Sequence, residues 1–336
     1  MLGPREAPVE MSTSSVAGDF DGEIEQAIRA AQRAAGFDFL GTLTRLCLLP
    51  ALGSINETDV VPSYIREPHT APPRETWYAD AAQVFDNLYF VGGKVHSAWA
   101  LETSAGFILL DTTYPYNSEE LIVGGMQRLG LDPNAIKYVI ISHAHGDHIG
   151  GAEMLQKRGA RIVMDPVDWE MLARYPNRYT SMSPRRDIDA YDGMPLTLGE
   201  TTVTLWRTPG HTPGTLSFTF DVLDRGRPLS VVYSGGTALN FPCSTPDPGI
   251  RNLQIYIDSQ RHIAAQAAAT RATVLLSNHS EFDNAVGKVK MLAGRGDGPH
   301  PFDIGSELVR RYFEVTQNGA RAAQIGLERQ AARAAD

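Results

Sequence analysis

The segment that most constrains this chain is the hexapeptide HAHGDH at residues 143–148, which Ser142 separates from the apolar run Tyr138–Ile141. It places three imidazoles and a carboxylate within six residues, although the whole chain contains only 9 histidines. Alternate residues of an extended chain point the same way, so His143 and His145 should face one side. A helix beginning near Ile149 would turn Asp147 towards the same volume. The motif therefore predicts a cluster of metal ligands at the end of a β-strand.

Neutral imidazole and carboxylate groups are ligands that borderline cations such as Zn²⁺ prefer. Two other interpretations stay open at this point. The four groups could be ordinary hydrogen-bonding residues at a strand end, which would require four coincidences. They could also form a purely structural zinc site, although such sites favour thiolates and closed coordination. Cys47 and Cys243 are the only cysteines, too few for a four-thiolate site or a disulfide framework.

The balance of charged residues limits the kinds of molecule that this protein can bind. Thirty basic residues stand against 39 acidic ones, which gives a net charge of -9, and no block of Lys or Arg interrupts that balance. This argues against a nucleic-acid or anionic-membrane surface. The first residues lack a basic start followed by an apolar run, and no run approaches the roughly 18 apolar residues of a membrane span. We therefore expect a cytoplasmic protein that acts on a small molecule, without nucleic-acid or membrane partners.

The chain divides into four parts by pattern. Residues 1–20 are small and polar and predict a disordered tail, and residues 21–76 predict a helical extension with a Pro-rich connector. Residues 77–300 mix short β runs with hairpins and helices, which indicates a layered α/β domain, and residues 301–336 predict a C-terminal helix. The expected strands are 84–85 and 88–91 around an Asp-Asn turn, 107–110, 138–141, 161–164, 202–206, 216–220, 230–233 and 273–277. The expected helices within and after this domain are 118–129, 150–158, 167–174, 253–269 and 304–333.

The motif His143-x-His145-x-Asp147-His148 resembles the metal-binding signature of the metallo-β-lactamase superfamily. The resemblance continues in the turn TPGHTPG at 208–214 and in LLSNH at 275–279, which supply two further histidines. The segments NLYFVG at 87–92 and GFILLD at 106–111 are similar to the superfamily's opening strands. The similarity covers about residues 77–292. It implies a four-layer αββα metallo-β-lactamase sandwich, here with an N-terminal helical extension.

Transferred residue by residue, the resemblance implies two bound cations per chain, with zinc the expected metal. The ligand sets are His143, His145 and His211 for the first metal, and Asp147, His148 and His279 for the second. Asp147 would also take part in catalysis, by orienting the attacking hydroxide or by passing a proton to the leaving group. Asp111 would be a carboxylate that orients a ligand histidine. The alternative role for Asp111 is to form the turn that follows its strand.

Most hydrolases of this superfamily add a bridging Asp after a late strand, and the corresponding segment here, residues 230–240, contains none. The third zinc subclass of metallo-β-lactamases also lacks that ligand, so the sequence is most similar to this subclass and its cytoplasmic relatives. The absence argues against glyoxalase, ribonuclease and typical lactonase activity. Flavo-diiron relatives carry Glu at the position of His145, which disfavours a redox di-iron centre.

Other residues are candidates for the surroundings of the metal centre. Thr237 and Asn240 are candidates for substrate binding, and Phe37, Phe39 and Leu40 of the extension are candidates for lining an apolar pocket with the loop at 238–242. The remaining histidines lack a comparable context and are expected to be surface or ordinary hydrogen-bonding residues: His69, His96, His262 and His300.

The expected function is hydrolysis of a cyclic amide or ester, such as a β-lactam, or of another small organic substrate by a metal-bound hydroxide. The alternatives are a cytoplasmic hydrolytic dehalogenase of halogenated aromatics, a lactonase, and a metal-binding protein without turnover. The last is disfavoured because all six ligands are kept. The apolar stripe of the extension, with Ile24, Ala27, Ile28 and Ala31, could pack on its own domain or form a homodimer.

Overall fold

A computed structural model describes residues 19–48, 71–174, 184–239 and 246–335. The predicted tail lies outside these ranges up to residue 18, and so do His69, Asn240 and Cys243. Within the described residues the strands form one sheet of seven and one of five. No helix in those ranges is both long enough and apolar enough to cross a membrane.

The first sheet follows the chain in sequence order. Strands β1 to β4 pair antiparallel, and β4 to β7 continue as parallel neighbours. Its strands are β1 Ala82–Phe85, β2 Leu88–Phe90, β3 Trp99–Thr103, β4 Gly106–Leu110, β5 Ile136–Ile140, β6 Arg161–Met164 and β7 Ile188–Asp189.

The second sheet has the order β12-β11-β10-β9-β8 and is antiparallel except for the parallel pair β11 and β12. A crossover helix lies between these two strands in sequence, as a parallel connection requires. The strands are β8 Met194–Leu198, β9 Thr201–Arg207, β10 Leu216–Asp224, β11 Arg227–Ser234 and β12 Val274–Ser277.

Helices cover the outer faces of both sheets. The helices before and within the first half are α1 Phe20–Ala35, α2 Leu40–Leu43 with a π-helical turn Thr44–Leu48, α3 Arg74–Trp77, a π-helical turn Glu119–Val123 continuing into α4 Gly124–Arg128, a 3₁₀ turn Pro133–Ala135, α5 Gly146–Ile149, α6 Ala152–Lys157 and α7 Pro166–Arg174. Those in the second half are α8 Pro246–Ala269, α9 Ser280–Asp283, α10 Ala285–Leu292 and α11 Ser306–Ala335.

The main core lies between the two sheets, where inward-facing side chains of both sheets pack together. Trp99 of β3 and Phe218 and Tyr233 of the second sheet are fully buried there. A second core joins the outer face of the first sheet to α4, α6 and α7, and a third joins β11 and β12 to α8 and α11. The layers therefore run helix, sheet, sheet, helix, and the αββα sandwich expected from the sequence is confirmed.

The apolar stripe of α1 is covered by the chain's own C-terminal helix. Ala27 of α1 packs with Ala322 and Ile325 of α11, and the guanidinium of Arg311 donates to the carbonyl oxygen of Ala34 at 2.7 Å. Asp21 and Arg329 form an ion pair farther along the same contact. The stripe therefore packs within one chain, as one of the two alternatives expected from the sequence.

Three strands were not expected from the sequence. Strand β3 is buried on both faces, so it lacks the period-2 alternation that marks a half-exposed strand. Strand β7 has two residues and exists through its pairing with β6. Strand β8 contains Pro195 and takes its register from β9.

Candidate metal centre

The predicted ligands lie at one edge of the sandwich because several strands end there together. Asp111 follows β4, the HAHGDH segment follows β5, and His279 follows β12. His211 lies in the loop that joins β9 to β10. Backbone hydrogen bonds tie the two sheets at this edge: Leu216 N–H donates to Ser142 O at 2.8 Å. Strand ends thus collect side chains that are far apart in sequence.

The first ligand set, called here the three-histidine site, consists of His143, His145 and His211. Each offers a ring nitrogen, and these three atoms lie within 4.8 Å of one another. Nδ1 of His145 and Nε2 of His211 are 3.1 Å apart. The set predicted from the sequence for the first metal is therefore brought together.

Backbone carbonyls fix the orientation of two of these rings. His143 Nδ1 donates to Gly235 O at 2.9 Å, and His211 Nδ1 donates to Ala238 O at 2.7 Å. A carbonyl oxygen can only accept, so in the neutral ring Nε2 carries the lone pair and faces the site. Among the described residues no hydrogen-bond partner reaches the buried His143 Nε2. A buried acceptor directed at other ligand atoms fits a metal ion in this site.

The second ligand set, called here the aspartate site, consists of Asp147, His148 and His279. Asp147 Oδ2 lies 3.1 Å from His148 Nε2 and 3.3 Å from His279 Nε2. The two imidazole Nε2 atoms are 3.2 Å apart. The rings of His143 and His148 have centroids 4.3 Å apart, so the two sites are adjacent.

Asp111 has the position that the resemblance implied for it. Its Oδ2 lies 3.3 Å from Nδ1 of the ligand candidate His148. The same carboxylate accepts from Ser142 N–H at 2.7 Å and Ser142 Oγ at 2.9 Å, and from the Tyr233 hydroxyl at 2.7 Å. Asp111 adopts φ 59°, a strained conformation for a residue with a side chain. It therefore links β4, β5 and β11 beneath the aspartate site.

The electrostatics favour metal-binding forms of most ligands. Burial, reinforced by neighbouring histidines, holds the pKa values of His143 and His211 well below the usual range, so both rings are neutral. Burial would raise the pKa of Asp147, but His148 and the other imidazoles hold that pKa well below its usual value. Burial lowers the pKa of His148, yet Asp147 and Asp111 outweigh it and raise that pKa to about 10. Metal binding at the aspartate site would thus release a proton.

Asp168 supports both ligand loops and was not identified from the sequence as a functional residue. Its carboxylate accepts from Ala144 N–H at 2.8 Å, from Thr212 Oγ1 at 2.9 Å and from Gly214 N–H at 2.8 Å. Burial raises its pKa to about 6, against the effect of these donors. In the sequence it is an acidic residue in the first turn of a helix, which is common at any helix start. No local sequence pattern therefore identifies Asp168 as a functional residue.

Among the candidates for substrate binding, Thr237 is buried, and its hydroxyl is hydrogen-bonded to Tyr312 at 2.5 Å and Ser234 at 3.2 Å. These contacts give no support to a role in substrate binding. Asn240 lies outside the described residues. Of the residues predicted to line a pocket, Phe39 is in the core against Tyr312 and Phe37 is 94% exposed. The structure describes only residues 238 and 239 of the loop at 238–242.

The other histidines divide into two kinds. His262 lies 3.1 Å from Asp192 Oδ1, and His300 Nε2 donates to Val84 O at 2.8 Å, so both are hydrogen-bonding residues as expected. The expectation for His96 was wrong. Its Nε2 lies 3.4 Å from Asp147 Oδ2, and its ring contacts that of His279. Long-range strand pairing, which no local pattern reveals, brings it there.

Part of the chain matches a known family. Residues 91–225 match the family model described as the metallo-beta-lactamase superfamily. The chain contains a metallo-β-lactamase superfamily domain. The matched range of the metallo-β-lactamase domain includes the HAHGDH segment and His211 and ends before His279.

Relatives of the metallo-β-lactamase domain fall into more than one hydrolase class. An N-acyl homoserine lactonase from Bacillus sp is 27% identical over 176 residues, which are 45% of this chain and 68% of the lactonase. A subclass B3 metallo-β-lactamase of Bradyrhizobium japonicum has a TM-score of 0.60 and 24% identity, covering 76% of this chain and 95% of that one. A metallo-β-lactamase of Cronobacter sakazakii with an HARLDQ motif has a TM-score of 0.61 and 26% identity, covering 79% and 96%.

These similarities confirm the predicted fold and the predicted enzyme class. Members of the metallo-β-lactamase superfamily are metal-dependent hydrolases, and the chain is an enzyme of that class.

Proposed function

We propose that this metallo-β-lactamase superfamily enzyme is a zinc-dependent hydrolase of cyclic amides or esters that holds two cations per chain. The observation that carries the proposal is the convergence of six imidazole and carboxylate side chains in two adjacent sets, the three-histidine site and the aspartate site. Nitrogen and oxygen donors of this kind suit zinc.

When bound, a divalent cation in such a site supplies Lewis acidity and makes a nucleophile available from water near neutral pH. The chain contributes fixed ligand orientations. The carbonyl oxygens of Gly235 and Ala238 hold two rings of the three-histidine site with Nε2 facing inward. Because that site has three protein ligands, tetrahedral coordination would leave one position for water or substrate.

Asp147 is the residue best placed to act on the substrate as well as to bind metal. Its side chain keeps 15% of its surface exposed, whereas that of His148 is fully buried. The surrounding imidazoles keep its carboxylate ionised, since its pKa is held well below the usual value against the effect of burial. An ionised carboxylate at this point can orient a water molecule or pass a proton to a leaving group.

Aromatic side chains beside the aspartate site support a substrate with an apolar part. Tyr114 and Tyr116 are stacked with centroids 5.2 Å apart, and Trp77 packs edge-on against Tyr116 at 6.1 Å. The Tyr114 ring also lies 4.7 Å from that of His96. Burial, with a further contribution from Asp147, raises the pKa of Tyr116 to about 12, so its phenol is neutral. These rings would form an apolar wall next to the reacting group.

The cyclic amide of a β-lactam is the first substrate class that we propose. Residues 235–239, which follow β11, contain no carboxylate that could bridge two metals. This matches the third zinc subclass expected from the sequence. A lactone is the second candidate, because the Bacillus relative is named an N-acyl homoserine lactonase. Cytoplasmic location, homodimer formation and the dehalogenase alternative stay predictions.

The test is hydrolysis by purified, zinc-loaded protein of a chromogenic cephalosporin and, separately, of N-acyl homoserine lactones. We expect turnover of at least one substrate that is lost after chelation and restored by zinc. His143→Ala and Asp147→Ala should fall below detection with the fold retained by circular dichroism, whereas His262→Ala should match the parent. Full activity of Asp147→Ala in the absence of metal would contradict the proposal.

A further inference from the structure

His96 is held beside the aspartate site by its backbone. It lies in the loop between β2 and β3, and its main chain pairs antiparallel with that of His279. Three backbone hydrogen bonds fix the loop on both sides: Gly93 N–H to His96 O at 2.8 Å, Ser97 N–H to Asn278 O at 2.8 Å, and Ser280 N–H to Val95 O at 2.7 Å. The position of the His96 ring relative to His279 is therefore set by strand-like pairing.

Three imidazole nitrogens surround one carboxylate oxygen at this point. Asp147 Oδ2 lies 3.4 Å from His96 Nε2, beside its distances of 3.1 Å to His148 Nε2 and 3.3 Å to His279 Nε2. Ligand atoms about 2.0–2.1 Å from a tetrahedral zinc ion are about 3.3–3.4 Å from one another. The observed separations from Asp147 are thus those of a tetrahedral edge. His96, Asp147 and His279 also offer ligand atoms that all lie within 4.8 Å of one another.

We propose that His96 is a fourth protein ligand at the aspartate site, in addition to Asp147, His148 and His279. The inference rests on the proposed function, which requires a cation at that site. Four protein ligands complete a tetrahedral shell, whereas the three-histidine site keeps an open position. The two cation positions therefore differ in role. Protein ligands alone would hold and orient the cation at the aspartate site, whereas the cation at the three-histidine site would have the open position where the reaction takes place.

The competing explanation is that His96 only donates a hydrogen bond to Asp147. Glutamine separates the two roles, because its side-chain amide can donate to the carboxylate but is a poor zinc ligand. Cysteine gives the opposite test, since a thiolate binds zinc well. His279→Ala serves as the reference for loss of a predicted ligand, and His262→Ala as a histidine outside the centre.

The experiment measures metal content and affinity of the full-length variants, by mass spectrometry after dialysis and by competition with a chromophoric chelator. The parent and His262→Ala should bind two zinc ions. Removal of even an indirect partner of a ligand weakens metal binding by about 10–100-fold. We therefore expect His96→Ala and His96→Gln to bind the second zinc at least about 100-fold more weakly, as His279→Ala should. In the cobalt-loaded protein, His96→Cys should keep the second metal and gain a thiolate charge-transfer band.

The outcomes distinguish a failure of the His96 inference from a failure of the proposed function. If His96→Gln binds both metals with parental affinity and an unchanged cobalt spectrum while His279→Ala loses one, the ligand role of His96 is overturned and the proposed function stands. If the parent itself holds fewer than two metals, the two-cation proposal fails and the inference fails with it. Unfolding profiles of the metal-free variants show whether a loss reflects misfolding.

Discussion

The carboxylate of Asp168 accepts a hydrogen bond from the backbone N–H of Ala144 at 2.8 Å. Its other oxygen accepts from Gly214 N–H at 2.8 Å. Ala144 lies between two ligands of the HAHGDH segment, and Gly214 belongs to the loop of His211. One buried side chain thus sets the distance between two loops that supply all three ligands of the three-histidine site.

Replacing Asp168 by Asn should weaken metal binding without removing any ligand. Asn has the same size but only one acceptor oxygen, so at least one backbone N–H would lose its partner. We expect zinc affinity at the three-histidine site to fall by about 10–100-fold, measured by chelator competition. Asp187→Asn is the matched control, because Asp187 accepts from Ile162 N–H at 3.0 Å away from the metal centre. Equal zinc affinity in the two variants would contradict this role for Asp168.

Gly235 should be intolerant of even one methyl group. A Cβ at this position would lie 1.7 Å from Leu216 O, so the backbone would have to move. The Gly235 carbonyl accepts from His143 at 2.9 Å and from Asn278 Nδ2 at 2.7 Å, and both contacts would shift with it. We expect Gly235→Ala to lose zinc and activity together.

Gly294 provides the control for that substitution, since a Cβ there meets nothing within 4 Å. Zinc content, hydrolysis and thermal unfolding of Gly294→Ala should match the parent. If Gly235→Ala also kept full zinc content, the carbonyl of residue 235 would not be needed to orient His143.

Stability should depend on pH through Asp283. Burial raises the pKa of this carboxyl to about 6, although Lys288 and the N–H groups of Ser277 and Ala285 oppose the shift. A raised carboxyl pKa means that the folded state binds the proton more tightly than the unfolded chain. The resulting stabilisation is complete below about pH 4 and is lost as the pH rises to about 6.

Urea unfolding of metal-free protein at pH 4 and pH 7 measures this effect. A shift of about two pKa units corresponds to about 3 kcal/mol. The parent should therefore lose about 2–3 kcal/mol more than Asp283→Asn between these pH values. Identical pH dependence of the two proteins would show that Asp283 titrates normally in the folded state.

The contact of α1 with α11 predicts a stability effect within one chain. Ala27→Asp would place a charge against Ala322 and Ile325, and we expect the free energy of unfolding to fall by at least about 2 kcal/mol. Gln26→Asp adds the same charge at an exposed position of α1 and should be near neutral. If Ala27→Asp instead left stability unchanged and altered only the mass in solution, the stripe would belong to an interface between chains.

Much of the fold follows from local patterns. Strand β6 was predicted with its observed bounds because it is a short apolar run, and α11 within two residues at each end because its apolar residues recur at helical spacing. Strand β7 and the doubly buried β3 carry no such pattern, so only sheet pairing defines them. Helix α8 begins at Pro246, seven residues before the start expected from its apolar periodicity.

The sequence by itself determined the class of fold and predicted six ligands. Four of them follow from the short spacing of HAHGDH at a strand end, a local property of the chain, and His211 and His279 follow from the family resemblance. No sequence pattern indicated that His96 and Asp168 lie at the metal centre. Their roles depend on contacts between residues far apart in sequence: His96 with His279 across paired backbones, and Asp168 with Gly214 across two loops. Only the packing of two sheets, which brings strand ends to a common edge, decided which polar groups share the metal centre.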